Sequence, residues 1–124
     1  MSAGVVAVIG ASSDRRKYGN KAVRAYKRQG WKVYPVHSTA REIEGLPAVR
    51  SIAEIREHVN RATLYLPPSA GMAVLEEIAG KGVDEFFVNP GAESEELLER
   101  ARSLGLNPIV ACSIVDIGLA PGEL

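Results

Sequence analysis

The sequence has little of what disulfide-rich, metal-binding or membrane proteins need. It contains one cysteine, Cys112, and two histidines among 124 residues. A single cysteine excludes an internal disulfide, which fits a reducing compartment, and we expect a cytoplasmic protein. No apolar stretch is long enough to span a bilayer, and the first residues lack the features of a signal peptide. No metal-ligand spacing occurs, so we predict no metal site.

An excess of charge of either sign is also missing. Fifteen basic residues balance fifteen acidic residues, so no overall field attracts the chain to nucleic acid or to a membrane surface. With 46% hydrophobic and 24% charged residues, the composition is that of an ordinary globular protein. We expect residues 1–124 to form one domain whose core needs no disulfide or metal. The sequence leaves the formation of a homo-oligomer open.

Short apolar runs alternate with helical patterns along the whole chain. The runs predict strands at residues 5–9, 32–36, 62–66, 85–88 and 108–111. Helices are predicted from about residue 19 to 29, from Ser51 through Val59, from Ser69 to Gly80 or Gly82, and from Ser94 to Leu104. This alternation predicts an α/β fold, a Rossmann-like doubly wound sheet of five parallel strands in the order 3-2-1-4-5. A ligand would lie at the carboxyl ends of the first and fourth strands, where the winding reverses.

The strongest chemical signal lies between the first strand and the first helix. Small residues there let backbone amides approach an anion, two serines offer hydroxyl donors, and cations precede a helix start that adds free amides. The residues expected at a phosphate are Gly10, Ala11, Ser12, Ser13, Arg15, Lys17 and Gly19. The alternative is a tight strand–helix turn with a solvated basic loop. The strand–loop–helix context favours phosphate binding.

This loop differs from two common nucleotide-binding motifs. Ala11 and Ser12 stand where the dinucleotide fingerprint carries its second glycine, and no carboxylate follows the second strand to bind a ribose. A nicotinamide or flavin dinucleotide is therefore disfavoured, although it stays an alternative. A Walker loop is absent because no Gly-Lys-Ser/Thr occurs. No nucleophile–base pair can be assembled, so we predict no catalytic residue and favour a ligand-binding module over an enzyme.

Several segments, taken in order, resemble a known family. The chain resembles the small stand-alone CoA-binding domain proteins, which are related to the N-terminal CoA-binding domain of the succinyl-CoA synthetase alpha subunit. The resemblance extends over residues 5–114. It is carried by Val8-Ile9-Gly10-Ala11-Ser12, Tyr18-Gly19-Asn20-Lys21-Ala22-Val23, Val33-Tyr34-Pro35-Val36, Asn89-Pro90-Gly91-Ala92-Glu93-Ser94 and Cys112.

The resemblance implies a protein that binds coenzyme A or an acyl-CoA without catalysis of its own. Residues 10–13 would contact the phosphates, and further residues would line the cleft or flank the nucleotide. These further residues are Tyr18, Gly19, Asn20, Val36, His37, Pro67, Asn89, Pro90 and Gly91. Cys112 is a candidate contact for the CoA thiol. The alternative is an NAD(P)-binding or other nucleotide-binding Rossmann protein with an enzymatic or regulatory role.

One departure from the family pattern concerns the turn after the second strand. Family members commonly carry Asn-Pro-Lys there, whereas this chain has His37, Ser38 and Thr39. The phosphate contact implied for that lysine is lost. Arg41 or the cations of residues 15–17 are the candidates to replace it.

Overall fold

Strands and helices alternate through residues 3–124, which are the residues described by the computed structural model. The strands are β1 (Val5–Ile9), β2 (Lys32–Val36), β3 (Glu42–Ile43), β4 (Leu46–Pro47), β5 (Arg61–Leu64), β6 (Glu85–Val88) and β7 (Pro108–Val110). The α-helices are α1 (Tyr18–Arg28), α2 (Pro68–Met72), α3 (Leu75–Lys81), α4 (Glu95–Ser103) and α5 (Ser113–Asp116). Two 3-10 turns, η1 (Ile52–Glu54) and η2 (Pro121–Glu123), complete the elements. Within the described residues, no helix has the length and apolar character of a membrane span.

A five-stranded parallel sheet forms the centre of the fold, in the order β2-β1-β5-β6-β7. This confirms the predicted fold class. Counted over the strands of this sheet alone, the order is 2-1-3-4-5, so the predicted order 3-2-1-4-5 is wrong. The third strand, β5, pairs with β1 and not with the outer edge of β2. The winding therefore reverses between β1 and β5, the third strand of this sheet, and not between the first and fourth strands as predicted.

The outer edge of β2 is closed to a further long strand. The N–H of His37 donates to the carbonyl of Val49 at 2.9 Å, and the N–H of Val49 donates to the carbonyl of Pro35 at 2.9 Å. The nitrogen of Pro35 faces the same edge as its carbonyl and has no hydrogen to donate. Proline inside a strand is tolerated at a sheet edge. The hydrogen bonds to Val49 and the missing N–H of Pro35 block the outer edge of β2, and β5 pairs with the free edge of β1 instead.

A hairpin that the sequence analysis did not predict precedes this edge segment. Strands β3 and β4 pair antiparallel, and Glu44 and Gly45 form the turn with φ of 51° and 78°. A two-residue turn with positive φ at both positions matches the twist of a hairpin. The carbonyl of Glu44 accepts a hydrogen bond from Lys27 Nζ at 2.8 Å, which fixes the tip of the hairpin to α1.

The sheet separates two apolar layers. On β1, Val6 and Val8 face the layer that contains α1, and Ala7 and Ile9 face the layer that contains α3 and α4. All four side chains are buried. A short continuous apolar strand is typical of this position, with both faces covered by helices. The apolar face of α1 contributes Tyr26, which is fully buried.

Of the three serines predicted to cap helices, one caps an α-helix, one caps a 3-10 turn and one caps nothing. The Ser94 hydroxyl accepts a hydrogen bond from the N–H of Leu97, as the cap of α4. Ser69 caps nothing, because Pro67 is the N-cap and Pro68 takes the first helical position, where a proline fits. The predicted single helix is divided into α2 and α3. Ser51 caps only the 3-10 turn η1, since Ile55 returns to an extended conformation.

At the amino ends of the strands, the buried guanidinium of Arg61 forms an ionic centre with two partly exposed carboxylates. Its guanidinium donates to Glu85 Oε1 at 2.8 Å and to Asp116 Oδ2 at 2.8 Å, and it also reaches the hydroxyl of Tyr26. It stacks 4.4 Å from the ring centre of Phe87. Burial alone would lower the pKa of Arg61, but the hydrogen bonds to Tyr26 and Glu85 outweigh it and raise this pKa. The centre joins β5, β6, α1 and α5.

We predict that Arg61→Met lowers the free energy of unfolding by about 2 to 3 kcal/mol, because two carboxylates and a buried hydroxyl lose their donor. The matched control is Arg100→Met, which breaks an exposed pair with Glu76. It should cost less than about 1 kcal/mol. Urea unfolding of both variants measures the difference. Equal losses would mean that the Arg61 centre contributes no more than a surface pair.

Candidate functional site

A cleft of about 560 Å³ lies at the carboxyl ends of β1, β2, β5 and β6. This is the edge where the winding of the sheet reverses and where ligands of doubly wound sheets bind. The cleft is lined by the loop after β1, the turn after β2, the loop after β5 and the loop after β6. Its residues are Gly10, Ala11, Ser12, Lys17, Tyr18, Gly19, Val36, His37, Ser38, Tyr65, Leu66, Pro67, Pro90, Gly91 and Ala92.

Two glycines let the first loop pass tightly between β1 and α1. Gly10 has a φ of 90°, and a Cβ on it would lie 2.9 Å from the backbone carbon of Tyr65. A Cβ on Gly19 would lie 2.1 Å from the carbonyl oxygen of Gly10. Real Cβ atoms do not approach backbone this closely, so both positions require glycine. The close approach brings the first amides of α1 to the end of β1.

Side chains of α1 hold the carbonyls of the loop back from the cleft. Asn20 Nδ2 donates to the carbonyl of Ser12 at 2.8 Å, and Arg24 Nη2 donates to the carbonyl of Arg15 at 2.9 Å. In a trans peptide the N–H points opposite to the C=O. The N–H of Ser13 is therefore turned away from Asn20. Within residues 3–124 it makes no hydrogen bond, and neither do the N–H groups of Tyr18 and Gly19.

The cations of the loop have different surroundings. Arg16 forms a fork to the carboxylate of Asp14, and these hydrogen bonds lower the pKa of Asp14 to about 2. Arg15 lies 3.6 Å from a carboxylate oxygen of Glu44. Lys17 lines the cleft, and within the described residues its ammonium group forms no ion pair or hydrogen bond. Lys17 is thus the cation available to a ligand.

The turn after β2 is fixed by its own side chains. His37 Nδ1 accepts hydrogen bonds from the N–H groups of Thr39 at 3.0 Å and Ala40 at 2.8 Å. An imidazole nitrogen that accepts cannot carry the proton, so the hydrogen of neutral His37 is on Nε2. Arg50 donates to the carbonyls of His37 and Ala40. The turn therefore presents neutral donors, His37 Nε2–H and the hydroxyl of Ser38, and no carboxylate.

Asn89 ties together the far side of the cleft. Its Nδ2 donates to Thr63 Oγ1 at 2.7 Å and to the carbonyl of Leu64 at 2.9 Å, and its Oδ1 accepts from the N–H of Ser113 at 2.9 Å. The hydroxyl of Ser113 bonds those of Thr63 and Tyr65 at 2.7 and 3.1 Å. Burial raises the pKa of Tyr65. The phenol therefore stays protonated. Its hydrogen bond to Ser113 fixes the ring of Tyr65 in the wall of the cleft.

A smaller pocket of about 210 Å³ adjoins the main cleft. The two share Tyr18, Tyr65 and Pro90 as lining residues. Cys112 lies in the wall of the smaller pocket, half-buried, at the N-cap of α5. This helix was not predicted, and it places the thiol beside the cleft.

Most of the residues predicted for the site meet in the cleft. These are Gly10, Ala11, Ser12, Lys17, Tyr18, Gly19, Val36, His37, Pro67, Pro90 and Gly91. Ser13 and Arg15 lie on the exposed side of the loop, and the buried amides of Asn20 and Asn89 hold backbone groups in place. Tyr65 was missed, and so was Ser38. A third strand placed next to β1 would have put Tyr65 at the centre of the cleft.

The chain is similar to a known domain family. A family model described as a CoA binding domain matches residues 4–117, which confirms the resemblance drawn from the sequence. The alpha subunit of ADP-forming acetate–CoA ligase II from Pyrococcus furiosus is 33% identical over 115 residues, covering 84% of this chain and 25% of the subunit. ADP-forming acetate–CoA ligase I from Archaeoglobus fulgidus is 34% identical, covering 79% of this chain and 14% of the ligase. The chain spans a quarter or less of these curated relatives.

Solved structures show the same fold. A conserved hypothetical protein from Pyrococcus furiosus superposes with a TM-score of 0.83 at 32% identity, covering 91% of this chain and 98% of that one. A dinucleotide-forming acetyl-coenzyme A synthetase from Candidatus Korarchaeum cryptofilum, in complex with phosphate and ADP, has a TM-score of 0.77 at 29% identity. The superposition covers 89% of this chain and 26% of the synthetase.

We predict that Gly19→Ala destabilises the fold by about 3 kcal/mol or more, because the new Cβ forces α1 away from β1. Gly80→Ala is the control, since Gly80 is an exposed helical glycine with open space around its Cβ position. That change should stabilise the protein by about 0.5 to 1 kcal/mol. Thermal unfolding of both variants compares them. An unchanged melting temperature for Gly19→Ala would refute the close approach.

Proposed function

From the premise that this chain belongs to the CoA-binding domain family, we propose that the cleft binds coenzyme A or an acyl-CoA with its diphosphate on the loop after β1. The observation that carries the proposal is the orientation of that loop. Its carbonyls are held back by Asn20 and Arg24, and the N–H groups of Tyr18 and Gly19, two residues that line the cleft, are left for an anion. Amides at a helix N-terminus favour phosphate. Lys17 would add a charge-assisted hydrogen bond.

The turn after β2 favours coenzyme A over an NAD-type dinucleotide. A dinucleotide site places a carboxylate there to accept from the ribose hydroxyls. This turn has the neutral donors His37 Nε2–H and Ser38 instead. Donors suit the phosphorylated ribose of coenzyme A, which a carboxylate would repel. The chemistry of the present residues thus fits the ligand class of the family.

The far side of the cleft would take the pantetheine arm. Pro67, Pro90 and Gly91 form apolar walls, and the smaller pocket with Cys112 continues from them. We propose that the thiol end of coenzyme A reaches Cys112. Asn20 and Asn89 are proposed as positioning residues, because their side-chain amides hold the loops and leave no donor for a ligand.

We further propose that residues 1–124 act as one binding module without catalysis of its own. Two observations support this. The phenol of Tyr65 keeps its proton because burial raises its pKa, and His37 Nδ1 already accepts two hydrogen bonds. Neither group is therefore suited to act as a general base there. In this role the domain would hold the thioester or thiol for chemistry supplied by another protein; the alternative is an NAD(P)-dependent enzyme or regulator.

The first test compares ligands by thermal shift. Coenzyme A should raise the melting temperature, since a ligand that binds only the native state stabilises it by mass action. NAD at the same concentration should raise it less, because the turn after β2 lacks a carboxylate. A shift with NAD equal to or larger than that with coenzyme A would reject the preference and favour the dinucleotide alternative.

Lys17→Ala should weaken coenzyme A binding about tenfold, the usual loss for a hydrogen bond to a charged group. Arg28→Ala is the control, because it removes the same charge from the other end of α1. Titration calorimetry measures both. If both variants lose the same affinity, the effect is one of overall charge and Lys17 makes no contact with the ligand.

Disulfide exchange tests the thiol contact. When the protein is mixed with CoA disulfide, the thiolate of Cys112 should attack one sulfur and release one coenzyme A thiol. The product is a mixed disulfide that a reductant reverses. Intact mass should show one added coenzyme A, formed faster than on the protein after unfolding in urea. Cys112→Ser should show no adduct.

An adduct that forms no faster on the folded protein would mean that the cleft does not guide the thiol to Cys112. Free coenzyme A supplies a second check. It should slow the exchange by competing for the cleft. If it does not, the reaction is random collision with an accessible thiol.

A further inference from the structure

The smaller pocket beside the cleft has walls suited to an apolar group. It is lined by Tyr18, Tyr65, Asn89, Pro90, Cys112 and Pro121. No lysine, arginine, histidine, aspartate or glutamate is among these lining residues. The side-chain amide of Asn89 is fully engaged with protein groups, so it offers nothing to a polar ligand. When an alkyl group covers the apolar walls, both surfaces are removed from water, which favours binding.

Lys21, a cation that contacts two lining residues of the pocket, is already engaged. Lys21 Nζ donates to the carbonyl of Pro121 at 3.1 Å and lies 5.3 Å from the ring centre of Tyr18. A carboxylate in the pocket would have to compete with both contacts and lose its own hydration. The pocket therefore favours an uncharged group over an anionic one.

The walls of the pocket are fixed by buried hydrogen bonds. The hydroxyl of Tyr65 is held by Ser113, the N–H of Ser113 is held by Asn89, and Asn89 is held by Thr63 and the backbone of β5. Ser113, Asn89 and Thr63 are almost completely buried. Satisfied buried networks of this kind rigidify a site. The position of Cys112 is fixed too, since it precedes Ser113 directly in the chain.

The pocket volume limits what fits. An apolar cavity of about 150 Å³ accommodates benzene, a group of six carbons. At about 210 Å³ the smaller pocket has room for a slightly larger group. Because it shares Tyr18, Tyr65 and Pro90 with the main cleft, a group attached to the end of the pantetheine arm would enter it from there.

We propose that the smaller pocket is an acyl-binding pocket and that the ligand of this chain is the CoA thioester of a short, uncharged acyl group. This inference rests on the proposed function, because the acyl group is delivered by coenzyme A bound in the cleft. It adds a substrate class to that function. Short chains fill the pocket, long chains exceed it, and an acyl group with a terminal carboxylate is disfavoured.

The test is a series of dissociation constants for the unmodified protein with coenzyme A and with acetyl-, butyryl-, hexanoyl-, dodecanoyl- and succinyl-CoA. Affinity should rise about fourfold for each methylene that is fully buried, up to butyryl- or hexanoyl-CoA. Dodecanoyl-CoA should bind no better than hexanoyl-CoA. Succinyl-CoA should bind more weakly than butyryl-CoA, which has the same number of carbons.

Three results would overturn the inference: equal affinities throughout the series, affinities that continue to rise to dodecanoyl-CoA, or tighter binding of succinyl-CoA than of butyryl-CoA. Absence of binding by every ligand, coenzyme A included, would instead reject the proposed function. The series thus separates the two failures.

A variant that fills the pocket checks its location. In Cys112→Phe the ratio of the butyryl-CoA affinity to the coenzyme A affinity should fall to about one, because the ring occupies the acyl space. Val115→Phe is the matched control, since Val115 is exposed on the same helix and outside the pocket. It should keep the ratio of the unmodified protein. If a folded Cys112→Phe variant keeps the affinity ratio of the unmodified protein, the acyl group binds elsewhere. The dissociation constants of the unmodified protein decide the chain-length preference in either case.

Discussion

The contact between Gly19 and the carbonyl of Gly10 determines where the cleft can be. No side chain fits between α1 and the end of β1, so the first turn of the helix lies directly against the strand. This closeness lets Asn20 reach the carbonyl of Ser12 and orient the loop amides. The other walls of the cleft follow from the sheet, because β2, β5 and β6 end at the same edge. A pair of glycines thus fixes the geometry on which ligand binding depends.

Sequence patterns predicted local elements better than their arrangement. β1, β2 and β6 were predicted with their observed bounds. Short, mostly apolar runs bounded by glycine or polar residues are typical of buried strands and are easy to delimit. The strand order was wrong although a signal was present: Pro35 lies inside the second strand, and proline favours a sheet edge over an interior position. Hairpin β3–β4 was missed because its strands have two residues each and depend on tertiary contacts.

The site was predicted where backbone chemistry defines it and less well where packing does. Small residues before a helix predicted a phosphate-binding loop, and Gly10, Ser12, Lys17 and Gly19 of that loop line the cleft. Sequence alone could not distinguish a ligand contact from a scaffold contact for Asn20 and Asn89. Both are polar residues next to a loop, and only their buried hydrogen-bond partners reveal that they hold the backbone. Tyr65 was missed because its importance depends on the strand order.

The tip of hairpin β3–β4 supports the loop after β1 from outside the cleft. The carboxylate of Glu44 accepts from Asn20 Nδ2 at 3.0 Å, while the same amide holds Ser12, and Glu44 also faces Arg15. No hairpin residue lines the main cleft. A protein engineer who grafts this hairpin from another family member, or changes its length, therefore also changes the second partner of Asn20. Under the proposed function, the affinity for coenzyme A would then be adjustable from a surface element that lies outside the cleft.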